Sequence, residues 1–183
     1  LRFRADHAAA QDAVFNEFPK EFLEERGILE LQSRCDSKDT YLTRPDLGRR
    51  LNEESAEKLK SFYKKAPTCV VFAADGLSGT AIEANYDIVI PALMNGLKAH
   101  GIDVGEPFFV RYGRVAVQDE VSEITGCEVC VCLIGERPGL ATAKSMSAYI
   151  TYKGTIGMSE ARRTVVSNIH NAGTPAAEAG AHI

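Results

Sequence analysis

The residues with the most chemical character in this sequence stand in a loop that follows a buried apolar run. Val129 to Ile134 is apolar throughout, as in a strand with two buried faces, and it breaks into Gly135-Glu-Arg-Pro-Gly139. The carboxylate of Glu136 can accept hydrogen bonds from amides or hydroxyls, and Arg137 can donate to carboxylate or phosphate. Ligands of α/β proteins usually bind at such strand ends. A solvated turn with a surface ion pair is the alternative interpretation.

Three further loops have the same character, each after a predicted strand. They are Asp75-Gly-Leu-Ser-Gly79, Arg111-Tyr-Gly-Arg114 and Ser167-Asn-Ile-His-Asn171. Because the carboxyl ends of parallel strands meet at one edge of a sheet, we expect these loops to form one crevice. Their glycines let the backbone approach a ligand closely. Two alternatives stay open: a turn with a helix N-cap at Ser78, and surface charges at Arg111 and Arg114.

The loops contain no complete catalytic set. Asp75-Gly-Leu-Ser-Gly79 lacks the glycine spacing of a phosphate-binding loop, and Ser78 is not in a GxSxG elbow. His170 has no partner at metal-ligand spacing, so a structural or hydrogen-bonding role is favoured for it. The sequence therefore predicts a ligand-binding module with neither catalytic residues nor a metal site.

The five cysteines are an odd number, and three of them (Cys127, Cys130 and Cys132) lie in or beside the same apolar run. Alternation along a strand predicts that Cys130 and Cys132 share one face and that Cys127 points to the other. The Cys127-x-x-Cys130 pair would then not form a redox or zinc turn. We interpret the cysteines as small core residues, which suits a reducing cytoplasm.

Composition excludes several classes of protein. A chain of 183 residues with 45% hydrophobic and 25% charged residues fits one globular domain with a sizeable core. The net charge of -4 gives no basic field for nucleic acid. No apolar run reaches the ~20 residues that cross a bilayer. The start at Leu1 and the last helix without a C-cap signal suggest a fragment of a longer protein.

Helical and strand patterns alternate along the chain, which predicts an α/β fold with an open, mainly parallel sheet flanked by helices. Asn52 to Lys65 predicts an amphipathic helix capped by Asn52, and Thr80 to His100 predicts a helix that Pro91 should kink or divide. Leu1 to Arg26 predicts two short helices. We expect residues 1–50 to form a helical segment and a connection that pack on the core, and residues 51–183 to form one compact domain.

Long motifs in this order resemble the small (light) subunit of ethanolamine ammonia-lyase. They are Tyr41-Leu-Thr-Arg-Pro-Asp-Leu-Gly-Arg-Arg-Leu51, Asp75-Gly-Leu-Ser78, Pro107-Phe-Phe-Val-Arg-Tyr-Gly-Arg-Val115, Gly135-Glu-Arg-Pro-Gly-Leu140 and Ser167-Asn-Ile-His170 with Gly173-Thr-Pro175. The resemblance implies a subunit of the enzyme that uses adenosylcobalamin to convert ethanolamine to acetaldehyde and ammonia. It also implies a Rossmann-like domain, an ethanolamine site on the large subunit, and a cytoplasmic location inside a bacterial microcompartment.

The resemblance further implies which residues contact cobalamin between the two subunits. Carried over by motif, the contacts are Val115, Glu136 and Val165, with Arg114 and Arg111 as supporting residues. Familiar members have a cysteine where this chain has Val165. Two other functions stay open: a stand-alone nucleotide- or small-molecule-binding module, and a purely structural subunit. The missing phosphate fingerprint argues against the first, and convergence of the three contacts would argue against the second.

Overall fold

The computed structural model describes residues 14–139 and 142–183, which form an α/β fold around a six-stranded sheet. The strands are β1 (Leu29–Gln32), β2 (Cys69–Ala74), β3 (Phe108–Arg111), β4 (Val129–Gly135), β5 (Met146–Tyr152) and β6 (Thr164–Ile169). Their order across the sheet is β1-β3-β2-β4-β5-β6.

The sheet is mixed, because β5 runs against all the other strands. The pairings among β1, β3, β2 and β4 are parallel, whereas β5 is antiparallel to both β4 and β6. The connection over residues 136–145 explains the reversal, because it is too short for the crossover of a dozen or more residues that a parallel pairing needs. The α/β prediction is confirmed, but the mixed sheet is not clearly Rossmann-like, since only the pairings among β1, β3, β2 and β4 are parallel.

The described residues form six α-helices, and capping side chains in the sequence mark where some of them begin. They are α1 (Lys20–Glu25), α2 (Lys38–Thr43), α3 (Glu53–Phe62), α4 (Gly79–Ala99), α5 (Val117–Thr125) and α6 (Ala176–His182). Asn52 and Ser78 cap α3 and α4 as predicted, since each side chain accepts a hydrogen bond from an N–H in the first turn. Pro91 lies inside α4, which continues through it as one helix.

The N-terminal prediction is only partly covered by the structure. The expected helix from Ala8 to Phe18 falls largely on residues 1–13, which lie outside the described residues, and residues 16–19 have no regular secondary structure. The division of the chain at residue 50 stays a prediction. None of the described helices has the length and apolar character that crossing a membrane requires.

Helices cover the two faces of the sheet unequally. Val71 and Ala73 of β2 face a cluster with α1, α4 and α6, and Val70 and Phe72 face a second cluster with α3 and α5. On the second face, Val165 of β6 stands directly opposite Tyr149 of β5 and is 46% exposed. The sheet is therefore closely packed at β2 and β4, whereas at Val165 of β6 its α5 side is open to solvent.

All five cysteines are free and buried, which confirms that they are core residues. The predicted orientation of Cys127 is wrong, because it lies in the same apolar cluster as Cys130 and Cys132. The reason is that β4 begins only at Val129, so the alternation of a strand does not apply to residue 127.

Candidate functional site

A cavity of about 260 Å³ lies at the carboxyl ends of the central strands. Its lining comes from α2, from the loops after β2, β3 and β4, and from β5: Tyr41, Leu77, Arg114, Val115, Ile134, Gly135, Glu136, Arg137, Ser147 and Tyr149. Because β3 and β4 lie on opposite sides of β2, the cavity is at the point where the strand order reverses, the usual ligand position in open α/β sheets. Three of the four predicted loops therefore converge on one cavity.

Glu136 is the first residue after β4, and three donors hold its carboxylate. Oε2 accepts a hydrogen bond from Ser145 Oγ at 2.6 Å, and Oε1 accepts from Ser147 Oγ and from Asn168 N, the latter at 3.0 Å. The fourth predicted loop, Ser167 to Asn171, thus reaches the site through the amide of Asn168, which lies near the end of β6.

The environment keeps Glu136 charged. Burial alone would raise the pKa of this carboxyl, but the hydrogen bonds from Ser145, Ser147 and the Asn168 amide bring its pKa below the ordinary value. A carboxylate has about four lone-pair positions, of which three are used here. Glu136 is therefore a fixed acceptor with capacity for one further donor, and it is poorly suited to act as a general acid.

Arg114 is held by the motif that begins at Tyr41. Its guanidinium lies 4.5 Å from the centroid of the Tyr41 ring, and Nη2 donates to the Tyr41 carbonyl at 2.7 Å. The Arg114 amide donates to the Gly48 carbonyl at 2.8 Å, and a Cβ at residue 48 would lie only 2.9 Å from Arg114 Cγ. Gly48 is needed because its missing side chain lets these segments meet. Arg114 is therefore a positioned side chain at the cavity and not a free surface charge.

Val115 and Val165 differ in their relation to the cavity. Val115 lines it and packs against the cluster of α3 and α5. Val165 does not line it, but its partner across the strands, Tyr149, does. Directly opposed residues project to the same side of a sheet, so Val165 extends the cavity wall by one strand. Only a ligand that reaches past Tyr149 would contact it.

Arg111, the other arginine of this loop, points away from the cavity. It is 6% exposed, and it donates to Glu30 and, at 2.9 Å, to the carbonyl of Phe18. It is thus neither a surface charge nor a residue of the cavity lining, and it ties the end of β3 to β1 and to the segment before α1.

His170 has the structural role that the sequence favoured. Its Nδ1 accepts from the Ala172 amide at 3.2 Å, so the proton is on Nε2, which donates to Asn168 Oδ1 at 2.8 Å. Asn168 has a φ of 61°, and Gly173 packs so closely that an added Cβ would lie 2.3 Å from the Asn168 carbonyl oxygen. These contacts fix the turn whose amide donates to Glu136.

Sequence reasoning missed the side chains that support Glu136. Ser145 and Ser147 are two residues apart at the start of β5, and side chains at this spacing project to one side of a strand. That spacing is the sequence signal from which the two serines could have been predicted to lie together. Among residues 14–139 and 142–183, no group of three or more His, Cys, Asp or Glu side chains is placed to hold a metal ion.

Comparison with known proteins gives a consistent result. The family model described as ethanolamine ammonia-lyase light chain (EutC) matches residues 1–183. The chain is similar to proteins named ethanolamine ammonia-lyase small subunit from Fusobacterium nucleatum (63% identity), Clostridium tetani (58%) and Clostridioides difficile (54%). Each match extends over all 183 residues of this chain, which spans 62% of the length of each relative.

Proposed function

Given that this chain belongs to the ethanolamine ammonia-lyase light chain family, we propose that it is the small subunit of an adenosylcobalamin-dependent lyase that converts ethanolamine to acetaldehyde and ammonia. In this proposal, a large subunit supplies the ethanolamine site and the second wall of the cobalamin site. The bound cofactor supplies the radical chemistry. The part of this chain is to bind and orient the cofactor.

The observation that carries the proposal is the anchored carboxylate of Glu136 in an open cavity. Cobalamin has primary amides at the rim of its corrin ring, and an amide N–H is a suitable donor to the free position on Glu136. Arg114 offers the opposite polarity, because it lines the cavity and its guanidinium can donate to an amide carbonyl or a phosphate. Val115 supplies apolar contact between these two polar groups.

The size of the cavity supports a shared site. About 260 Å³ is below the roughly 300–1,000 Å³ of pockets that enclose a drug-sized ligand, and cobalamin is larger than such a ligand. Only one edge of the cofactor would fit here. The remainder would extend past Tyr149 to the exposed Val165 of β6 and would need a second protein surface to cover it.

A nucleotide-binding module is disfavoured by the loop after β2. In phosphate-binding α/β folds, backbone N–H groups of this loop face the phosphates. Here the loop begins with Asp75, a carboxylate only 1% exposed that already occupies the Gly76 and Tyr112 amides. A location inside a bacterial microcompartment, which the family implies, stays a prediction.

The decisive experiment is to co-express the full-length small subunit with the large subunit and assay ethanolamine deamination while adenosylcobalamin is varied. Glu136→Gln keeps the shape of the side chain but removes its charge. Because a hydrogen bond to a charged group contributes about 1.5–3 kcal/mol, we expect the half-saturating cofactor concentration to rise about tenfold or more, with ethanolamine KM unchanged. Glu106→Gln, an exposed residue just before β3, is the matched control.

Two results would contradict the proposal. The first is full cofactor-dependent activity from the large subunit alone. The second is a Glu136→Gln variant in which only ethanolamine KM changes, because that would place this residue in the substrate site.

A further inference from the structure

Asp75, the residue after β2, joins three separate segments through one buried carboxylate. Its Oδ1 accepts hydrogen bonds from the Tyr112 amide at 2.7 Å and the Gly76 amide at 3.1 Å. Lys38 of α2 lies on the other side, with Nζ 3.9 Å from Oδ2 and 2.8 Å from the Gly76 carbonyl, to which it donates. Asp75 and Lys38 are 1% and 5% exposed. The helix α2 and the loops after β2 and β3 thus meet at this pair.

Such a pair is a costly way to stabilise a fold. Desolvation of two buried charges offsets most of their attraction, and apolar residues of similar volume often stabilise a protein equally well. Asp75 Oδ2 has no hydrogen-bond partner among the described residues, so even this pair is incompletely satisfied. A role other than stability would account for charges at this position.

The backbone of Tyr112 shows what the pair holds in place. Tyr112 has a φ of 54°, which a bulky residue rarely adopts. Its amide donates to Asp75, and its carbonyl accepts from the Ser33 hydroxyl at 2.8 Å. This turn reverses the chain after β3 and sends the next residues, Arg114 and Val115, to the cavity.

The loop after β2, whose Gly76 amide donates to the same carboxylate, also packs against β4. A Cβ at Gly76 would lie 2.6 Å from the Gly135 carbonyl oxygen, so this backbone is in close contact with the end of β4, just before Glu136. The next residue, Leu77, donates its amide to the same carbonyl at 3.1 Å and lines the cavity. Two walls of the cavity therefore depend on Asp75, although Asp75 does not line it.

We propose that Asp75, paired with Lys38, is a positioning residue for the cofactor site, holding the turn at Tyr112 so that Arg114 and Val115 face the ligand. This inference rests on the proposed function, since the ligand is the cobalamin assigned to the cavity above. It adds residues that act on the site without touching the cofactor.

The test uses the full-length subunit in complex with the large subunit and compares Asp75→Ala with Asp75→Asn. Asparagine keeps an oxygen that can accept from the Tyr112 and Gly76 amides, and alanine does not. Asp103→Asn is the control, because Asp103 pairs with Lys65 at 3.1 Å on an exposed surface. Equilibrium binding of hydroxocobalamin is measured by filtration, and hydrogen exchange of the Tyr112 amide is measured without cofactor.

We expect Asp75→Ala to weaken hydroxocobalamin binding about tenfold or more, as loss of a charged acceptor from buried amides would. Exchange at Tyr112 should be faster, and ethanolamine KM unchanged. Asp75→Asn should recover most of the binding. If Asp75→Ala does not assemble, Ser33→Ala tests the same turn from its carbonyl side and should weaken binding in the same way.

Each contrary outcome has a distinct meaning. Faster Tyr112 exchange with unchanged cobalamin binding in Asp75→Ala or Ser33→Ala would overturn the positioning role while leaving the proposed function intact. If Asp75→Asn binds hydroxocobalamin as weakly as Asp75→Ala does, the role of the acceptor oxygen is overturned. A wild-type complex that does not bind hydroxocobalamin would overturn both this inference and the proposed function.

Discussion

Arg163, the residue before β6, makes a buried ion pair with Asp119 of α5. Its side chain is 1% exposed, and Nη1 and Nη2 donate to the two carboxylate oxygens of Asp119 at 2.7 and 3.0 Å. Nε donates to Glu160 at 2.8 Å, and Nη1 also contacts Thr151 Oγ1 at 3.3 Å. These contacts fasten the start of β6 to α5.

Arg163→Met removes this fastening and leaves Asp119 buried without a counter-charge. Breaking one side of a buried pair costs about 3–5 kcal/mol. For a domain of this size, each kcal/mol shifts the melting temperature by about 2–4 °C, so we expect a decrease of roughly 6–20 °C. The magnitude comes from the charge left unpaired, since the methionine side chain still fills much of the arginine volume.

Thermal unfolding of the full-length subunit, followed by circular dichroism, measures this effect. Arg44→Met is the matched control, because Arg44 and Asp46 are 2.8 Å apart but both side chains are 60% exposed. An exposed pair contributes about 0–1 kcal/mol. The double variant Arg163→Met, Asp119→Leu should recover most of the lost stability, because it leaves no unpaired charge. A loss in Arg163→Met no larger than in Arg44→Met would refute the reasoning.

Two further predictions concern the loops at the cavity. Burial raises the pKa of Asp75 from its usual 3.8 to about 6, so the folded chain binds this proton more tightly than the unfolded chain. The stabilisation from this bound proton is fully present below the unfolded pKa of 3.8 and is lost as the pH rises through about 6. Between these pH values, denaturant titrations should show the unfolding free energy of wild type falling by up to about 3 kcal/mol relative to that of Asp75→Asn. Gly173→Ala should displace the Asn168 amide from Glu136 and weaken cobalamin binding in equilibrium filtration, since its Cβ would lie 2.3 Å from a carbonyl oxygen. Gly139→Ala, whose new Cβ has no atom of the described residues within 4 Å, should bind normally, and equal binding by the two variants would contradict this role for Gly173.

The convergence of the loops could be predicted from the sequence because it depends on strand direction alone. Apolar runs followed by loops of glycine and charge mark the carboxyl ends of strands, and parallel strands bring these ends together. Helix starts at Asn52 and Ser78 were equally predictable, since capping needs only one side chain and the next turn.

Other features depend on contacts that a local pattern does not contain. The direction of β5 follows from the length of its connection to β4 and not from its own composition. The face of the sheet to which the Cys127 side chain points depends on the residue at which β4 begins. The bonds from Ser145 and Ser147 to Glu136 require β5 to fold back beside β4, so the supporting side chains could not be assigned before the pairing was known.

Two non-glycine residues with positive φ beside the cavity have a consequence for the energetics of binding. Tyr112, after β3, and Asn168, near the end of β6, adopt left-handed backbone conformations, in which a non-glycine residue is about 1–2 kcal/mol less stable. Internal hydrogen bonds impose these conformations without a ligand. The conformational entropy of both segments is therefore lost during folding. A ligand that enters the cavity meets a preorganised surface, so the ordering of these segments does not reduce the affinity for the ligand.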